Sequence, residues 1–267
     1  MDMGTYGALH PHLTPEGVLE LVLDVPGKLN AVDGDLHRAL AQVWRDADAD
    51  PRVRAILLHA RGRAFSAGGD LAWVRRLTED FGARATAFRE ARDLVYNLVN
   101  CSKPTVSAIN GVAVGAGLAV ALLTDVSLAG RSARLLDGHT RIGVAAGDHA
   151  VLAWPILCGL ARARYHLLLC EQIDGETAER IGLVARCVDD DDLLAEAREV
   201  ATRLATGSAT AIRWTKHALN HWLRAAGPAF EASLGMEFLG FTGPDAVEGI
   251  AAARERRSPV FTGPADD

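Results

Sequence analysis

Residues 104–124 read PTVSAINGVAVGAGLAVALLT, a stretch without one charged side chain and long enough to cross a bilayer. Its glycines decide against that reading. Asn110-Gly111 is a turn signal, and Gly115-Ala116-Gly117 is a second break five residues on. The stretch therefore divides into a strand (Thr105 to Ile109), a turn, and a short helix opened by the second glycine pair, all within a buried core. A second stretch has the same plan. Ala55 to Ala60 (AILLHA) suits a buried strand, Arg61-Gly62-Arg63 ends it, and the glycine-bearing loop AFSAGGDL runs to Leu71. Glycines at such turns let a backbone approach a ligand closely, and the first N–H groups of the following helix have no intrahelical partner. One turn of this kind binds an anion. Two that face each other make an oxyanion hole, worth several kcal/mol to an enolate or a tetrahedral oxyanion.

Outward from these two units the pattern stays mixed. Leu19 to Leu23 reads as a strand, and Val32 to Ala49 as an amphipathic helix with Leu36, Leu40, Val43 and Ala47 on one stripe. A helix is expected from Ala83 to Val99, broken by Lys103-Pro104, with further strands at Val126 to Ala129 and Val184 to Val188. Beyond Leu193 the pattern is helical, and the tail from Ser258 to Pro264 is extended. This order predicts an α/β core over residues 1–192 and a helical C-terminal module over 193–267.

The 267 residues are 49% apolar and 23% charged, with a net charge of −6. That balance argues against a nucleic-acid binder, which would show a basic face. The segment from Met1 to His12 lacks the basic and apolar regions of a signal peptide, and Cys101, Cys158, Cys170 and Cys187 show no paired spacing. A cytoplasmic protein with reduced cysteines is the expectation. His217 and His221 have helical i, i+4 spacing but lack the glutamate of zinc hydrolases, so no metal is expected there. Gly115-Ala116-Gly117 lacks the third glycine of a dinucleotide site, Ser66 is outside any nucleophile elbow, and His10 and His12 are expected in a mobile terminus.

Pro26 to Ala31 (PGKLNA), Gly62 to Leu71 (GRAFSAGGDL) and Lys103-Pro104 through Ile109 to Gly117 resemble the enoyl-CoA hydratase/isomerase (crotonase) family. Gly175 to Val188 is similar to its GExAExxGLVxxVV segment, and Glu248-Gly249 with Arg254 to Phe261 to its C-terminal motif. The resemblance implies a crotonase-like spiral of ββα units, whose C-terminal helices pack in a homotrimer or a hexamer built as a dimer of trimers. Phe230, Leu234, Met236, Phe238 and Phe241 could serve that packing or pack within one chain. It implies an acyl-CoA substrate, with coenzyme A as part of the thioester and no separate cofactor. The oxyanion donors would be the N–H groups of Gly69 and Ala116. Ser66, Ala67, Gly68, Asp70, Leu71 and Gly115 would border the substrate, Lys28 would lie near the nucleotide, and Arg61, Arg63, Arg75 and Arg76 are candidates for its phosphates.

The chain departs from the family at the acid–base groups. Where hydrating members carry two glutamates, this sequence has Ala119 and His139. A methyl group moves no proton. His139, with Asp148 nine residues on and Asp137 and His149 nearby, is the candidate replacement, since a histidine oriented by a carboxylate is a competent base near neutral pH. Relatives that cleave β-diketones carry a similarly placed His and Asp. Alternatively, Asp148 could simply cap the helix that follows. The expected activity is hydratase or isomerase chemistry on an acyl-CoA. The alternatives are hydrolysis of a carbon–carbon bond in a β-diketone or β-ketoacyl compound, and non-catalytic acyl-CoA binding.

Overall fold

The computed structural model describes residues 6–263; the first five residues and those from Pro264 onward lie outside it. The chain enters as β1 (Leu9–Leu13), turns back into β2 (Val18–Leu23), and crosses through α1 (Gly34–Ala49). Next come β3 (Ala55–Ala60), β4 (Ala64–Ser66), α2 (Leu71–Glu79) and α3 (Phe81–Asn100). The strand–strand–helix order repeats as β5 (Thr105–Ile109), β6 (Val112–Val114) and α4 (Gly115–Leu122). It repeats again as β7 (Val126–Gly130), β8 (Arg134–Leu136), a single 3-10 turn (Thr140–Ile142), α5 (Ala150–Cys158) and α6 (Leu160–Leu169). Then follow β9 (Ile173–Asp174), α7 (Gly175–Ile181) and β10 (Arg186–Val188). The remainder is helical: α8 (Leu193–Thr206), α9 (Ala209–Leu219), α10 (His221–Ala225), α11 (Gly227–Gly240) and α12 (Pro244–Glu255).

From β3 to β8 each successive pair lays its first strand into one sheet and its second into another. The large sheet has the order β1-β2-β3-β5-β7-β10, parallel except for β1. The small sheet has the order β4-β6-β8-β9, parallel except for β9. This is the spiral of ββα units expected from the resemblance. The second strands were not separable from loop in the sequence, because three residues are too few to display a period of two.

Alternation explains how the large sheet is covered. Leu19, Leu21, Ile56 and Leu58 join the larger core with Leu36, Leu40, Val43 and Trp44 of α1 and with α3. Their neighbours Val18, Ala55 and Leu57 face the other way, onto Leu193, Ala197, Ala201 and Ala205 of α8. Each fully buried Leu, Ile or Val contributes about 1.5–3 kcal/mol by leaving water. The first helix of the C-terminal segment is thus one wall of the sheet's core, fastened by Arg198, which donates to both carboxylate oxygens of Glu20 at 2.8 and 2.9 Å.

Two expectations are corrected. His10 and His12 lie in β1, paired with Val22 and Glu20, rather than in a mobile terminus. The edge hydrogen bonds of β2 order that segment. The helix expected from Ala83 begins at Phe81 and is preceded by α2; Asp80 ends the one and caps the other, accepting from the Ala83 N–H at 3.0 Å. All four cysteines are free thiols. No helix among the described residues is long and apolar enough to cross a membrane.

Candidate active site

Two turns and one roof enclose a cavity of about 310 Å³. The turns are those that follow β4 and β6. Gly68 has φ +88° and Gly115 φ +53°, a region open to glycine and costly to other residues. Each left-handed residue immediately precedes a donor, Gly69 in the first turn and Ala116 in the second. Ala116 is the second residue of α4, where the helix itself supplies no acceptor. Gly69 bridges to Val32, but the bonds there use the N–H of Val32 and Asp70 and leave the Gly69 N–H unused. Neither N–H has a partner among the described residues. The turns are pressed together: a Cβ on Gly115 would sit 3.7 Å from the Gly68 Cα and 4.0 Å from the Gly69 nitrogen.

Asn30 holds the first turn in place from behind. It accepts from the Val25 N–H at 2.8 Å and donates to the carbonyls of Arg61 and Ala64 at 3.0 and 2.9 Å. Of the sequence candidates, Ala67, Gly68, Gly69, Leu71, Gly115, Ala116, His139 and Asp148 line the cavity. Ser66, Asp70 and Lys28 do not. The Ser66 hydroxyl is buried and donates to the Asn30 carbonyl at 2.8 Å. Asp70 caps α2 by accepting from Ala72 and Trp73, and pairs with Lys28 at 3.0 Å. Arg61, Arg75 and Arg76 are engaged by Asp24, Glu79 and Asp80 at the surface.

The polar end of the cavity is built on the segment between β8 and α5. His139 is buried, and its Nδ1 lies 3.0 Å from Asp137 Oδ2. Its Nε2 lies 3.7 Å from Asp148 Oδ2 and 3.5 Å from Glu237 Oε1. Asp148 is held in turn by His149 Nδ1 at 2.5 Å. It makes no cap: α5 starts after His149 without a side-chain hydrogen bond. The capping alternative for Asp148 is therefore set aside by geometry.

Electrostatics follow from burial. Burial opposes the charge on His139, but Asp137, Asp148 and Glu237 outweigh it and raise its pKa well above 6.5. Burial also opposes ionisation of Asp148, yet His139 and His149 keep it below the usual carboxylate range. For Glu237 burial wins: its pKa rises to about 7 despite the opposing pull of His139. One cation among three carboxylates leaves a group that titrates near neutrality. His139, Asp148 and Glu237 offer ligand atoms within 4.8 Å of one another, as do Asp137, Asp148 and His149. The His139 imidazolium already supplies the counter-charge, so the cluster is suited to holding and moving protons.

Glu237 comes from α11, and with Phe238, Phe241 and Ala253 of α12 it roofs the cavity of its own chain. Phe230, Leu234, Phe238 and Phe241 are buried within the chain, whereas Met236 is exposed. Sequence reasoning missed Glu237 and also His37 of α1, another buried cavity residue. The signal for Glu237 was a carboxylate within the apolar stripe of Phe230, Leu234, Phe238 and Phe241. For His37 it was a histidine beside the Leu36, Leu40 and Val43 stripe.

Comparison with known proteins agrees with this architecture. Residues 14–264 match the family model described as enoyl-CoA hydratase/isomerase. The 1,2-epoxyphenylacetyl-CoA isomerase of Escherichia coli is 32% identical over 257 residues, 93% of this chain and 96% of that protein. The crystal structure of an enoyl-CoA hydratase/isomerase from Mycobacterium paratuberculosis superposes with a TM-score of 0.89 at 32% identity, covering 94% of this chain and 99% of the other. A β-diketone hydrolase from Anabaena, bound to (S)-3-oxocyclohexyl acetic acid, superposes at 0.82 with 27% identity, covering 89% and 95%.

Proposed function

Because the chain belongs to the enoyl-CoA hydratase/isomerase family, we propose that it binds an acyl-CoA thioester with its carbonyl oxygen at the N–H groups of Gly69 and Ala116. The carbon next to that carbonyl then loses or gains a proton at the His139–Glu237 pair. The observation that carries this reading is the placement of both elements on one cavity: two unpartnered N–H groups and a buried, proton-rich cluster. Negative charge that develops on the oxygen meets two fixed dipoles in a cavity lined largely by apolar side chains, where they act more strongly than in bulk water. Glu237, titrating near 7, can accept the proton, and the His139 imidazolium can return one. Asp137 and Asp148 hold the imidazole in place, as an orienting carboxylate does in other histidine bases. Leu71, Trp73, Leu77 and Phe238 give the acyl group an apolar surround.

A second reading is hydrolysis of a carbon–carbon bond in a β-diketone or β-ketoacyl compound. It is favoured by the absence of a carboxylate at Ala119 and by the likeness to the Anabaena β-diketone hydrolase. The same hole would take the tetrahedral oxyanion. Parallel assays with crotonyl-CoA, a 3-enoyl-CoA and a cyclic 1,3-diketone separate the readings. Loss of enoyl-thioester absorbance or a shift of the double bond supports the first; release of a keto acid from the diketone supports the second. Saturable acyl-CoA binding without turnover of any of the three would leave a binding role alone. The exposed Leu160, Leu168, Leu169, Trp214 and Trp222 support the expected homo-oligomer, and light scattering that returned a monomer would remove it.

A further inference from the structure

We propose that His37 is a second proton-transfer residue of this cavity, aimed by Glu90 and Arg38, and that the reaction therefore adds or uses water. This inference rests on the carbonyl lying at Gly69 and Ala116. His37 is buried on α1 yet borders the cavity, its ring 5.0 Å from the Trp73 ring. Its Nδ1 lies 3.1 Å from Glu90 Oε2 on α3. The other oxygen of Glu90 accepts from Arg38 Nε at 3.0 Å, and Arg38 is paired with Asp35. Burial would raise the Glu90 carboxyl, but His37 and Arg38 together keep it ionised. An ionised carboxylate on Nδ1 fixes a neutral imidazole as the Nδ1–H tautomer and leaves the lone pair of Nε2 for the cavity. No partner for Nε2 occurs among the described residues.

Two further facts separate this histidine from a structural one. His37 lines the same cavity as His139, Asp148 and Glu237, so the two histidines address one bound substrate. Glu90 and Arg38 line a polar surface groove together with Asp35 and Asp80, and Trp73 borders both that groove and the cavity. The pair thus connects the enclosed cavity with solvent, giving a proton taken inside a way out.

One proton shuttle suffices to move a double bond. Addition of water needs two groups, one to take a proton from water and one to give a proton to carbon. In the proposed step Nε2 of His37 takes a proton from water as the water oxygen bonds to the electrophilic carbon. The displaced π pair moves to the oxygen held by Gly69 and Ala116. With an enoyl thioester the His139–Glu237 pair then protonates the α-carbon of the enolate as its carbonyl re-forms, and the β-hydroxy product keeps the water oxygen. With a diketone the tetrahedral oxyanion re-forms its carbonyl as the carbon–carbon bond breaks, and the same pair protonates the released enolate carbon. No oxidant or reductant enters.

The test compares His37→Gln and His37→Asn with wild type in two assays: hydration of crotonyl-CoA or hydrolysis of a cyclic 1,3-diketone, and exchange of the α-protons of butyryl-CoA in D2O followed by NMR. The expected result is a loss of about 100-fold in kcat for the water reaction, at least ten times larger than the loss in exchange. Glu90→Gln should lose about tenfold and shift the pH–rate profile, as a positioning residue does. Wild-type activity with either His37 variant unimpaired overturns the role of His37. Exchange by wild type without reaction of water on either substrate overturns it as well. Neither exchange nor turnover by wild type removes the functional reading itself, a distinguishable failure.

Discussion

The two halves of the cavity are built by different means. The glycine turns, the proposed oxyanion hole, are backbone: a glycine at positive φ, then an N–H, twice, at the ends of two short strands that are neighbours in one sheet. The proton cluster is side chain, drawn from the segment 137–149 and from α11, about ninety residues later in the chain. The first half depends on few residue identities besides glycine. The second depends on each ionisable group and on the balance of charge among them. A site divided in this way can keep its means of holding a carbonyl while its acid–base groups differ.

Changing the side-chain half should have the largest effect. His139→Asn is expected to reduce kcat by about 10²–10⁴-fold, the range for losing a positioned acid–base group. It also leaves three buried carboxylates without their cation, at about 3 kcal/mol of stability or more. Thermal unfolding and turnover should therefore fall together, and a fully stable variant with intact turnover would discard the cluster as the proton source. Changing the backbone half should separate those two effects. Ala116→Pro removes one donor at a helical position that tolerates proline and should cost about 10²–10³-fold in kcat with the helix retained. Circular dichroism checks the fold, and undiminished kcat would remove Ala116 from the hole.

Glu237→Gln sharpens the comparison through pH. The folded-state pKa of Glu237, about 7, lies above its ordinary 4.5, so the folded protein binds the extra proton between those values. Stability contributed by that proton is present below pH 4.5 and is lost as pH rises to 7. The variant, which does not titrate, should escape that loss, so its Tm should gain on wild type from pH 4.5 to 7 and then run parallel. The His139 contribution has a different window: its raised pKa stabilises below 6.5 and the effect is lost only as pH climbs through the folded value. A Tm difference that is flat across pH 4.5–7 would mean that Glu237 is ionised throughout.

Gly147→Ala probes how closely the roof must sit. A Cβ there would lie 2.4 Å from the Ser233 carbonyl oxygen and 2.5 Å from the Glu237 Cβ, so α11 must shift, at about 1–3 kcal/mol. Turnover should drop with Tm; if only Tm drops, the position of Glu237 is not critical. Lys28→Ala should have the smallest effect. Lys28 is exposed and among the described residues pairs only with Asp70, so Tm should stay unchanged. A several-fold rise in KM for a CoA thioester, without one for a small diketone, would place the nucleotide beside it.

Much of this was legible in the sequence because it is local. The glycine turns, the strand Ala55–Ala60, the turn at Asn110-Gly111 and the helical run after Leu193 each announce themselves within a few residues, through period and φ requirements. Asp137, His139 and Asp148 were visible as a group because they share one segment. Their charge states were not legible, since a pKa depends on burial and neighbours that a sequence does not display. Glu237 and His37 carry no local signature beyond a polar residue within or beside an apolar stripe, which is equally compatible with a surface edge. Only the folding of α11 over the 137–149 segment, and the packing of α1 against α2 and α3, turned those positions inward. The amino-acid sequence by itself thus determined the family and the pair of glycine turns, while tertiary structure alone decided which distant ionisable groups share one low-dielectric cavity, because proximity across the chain is set by packing rather than by spacing.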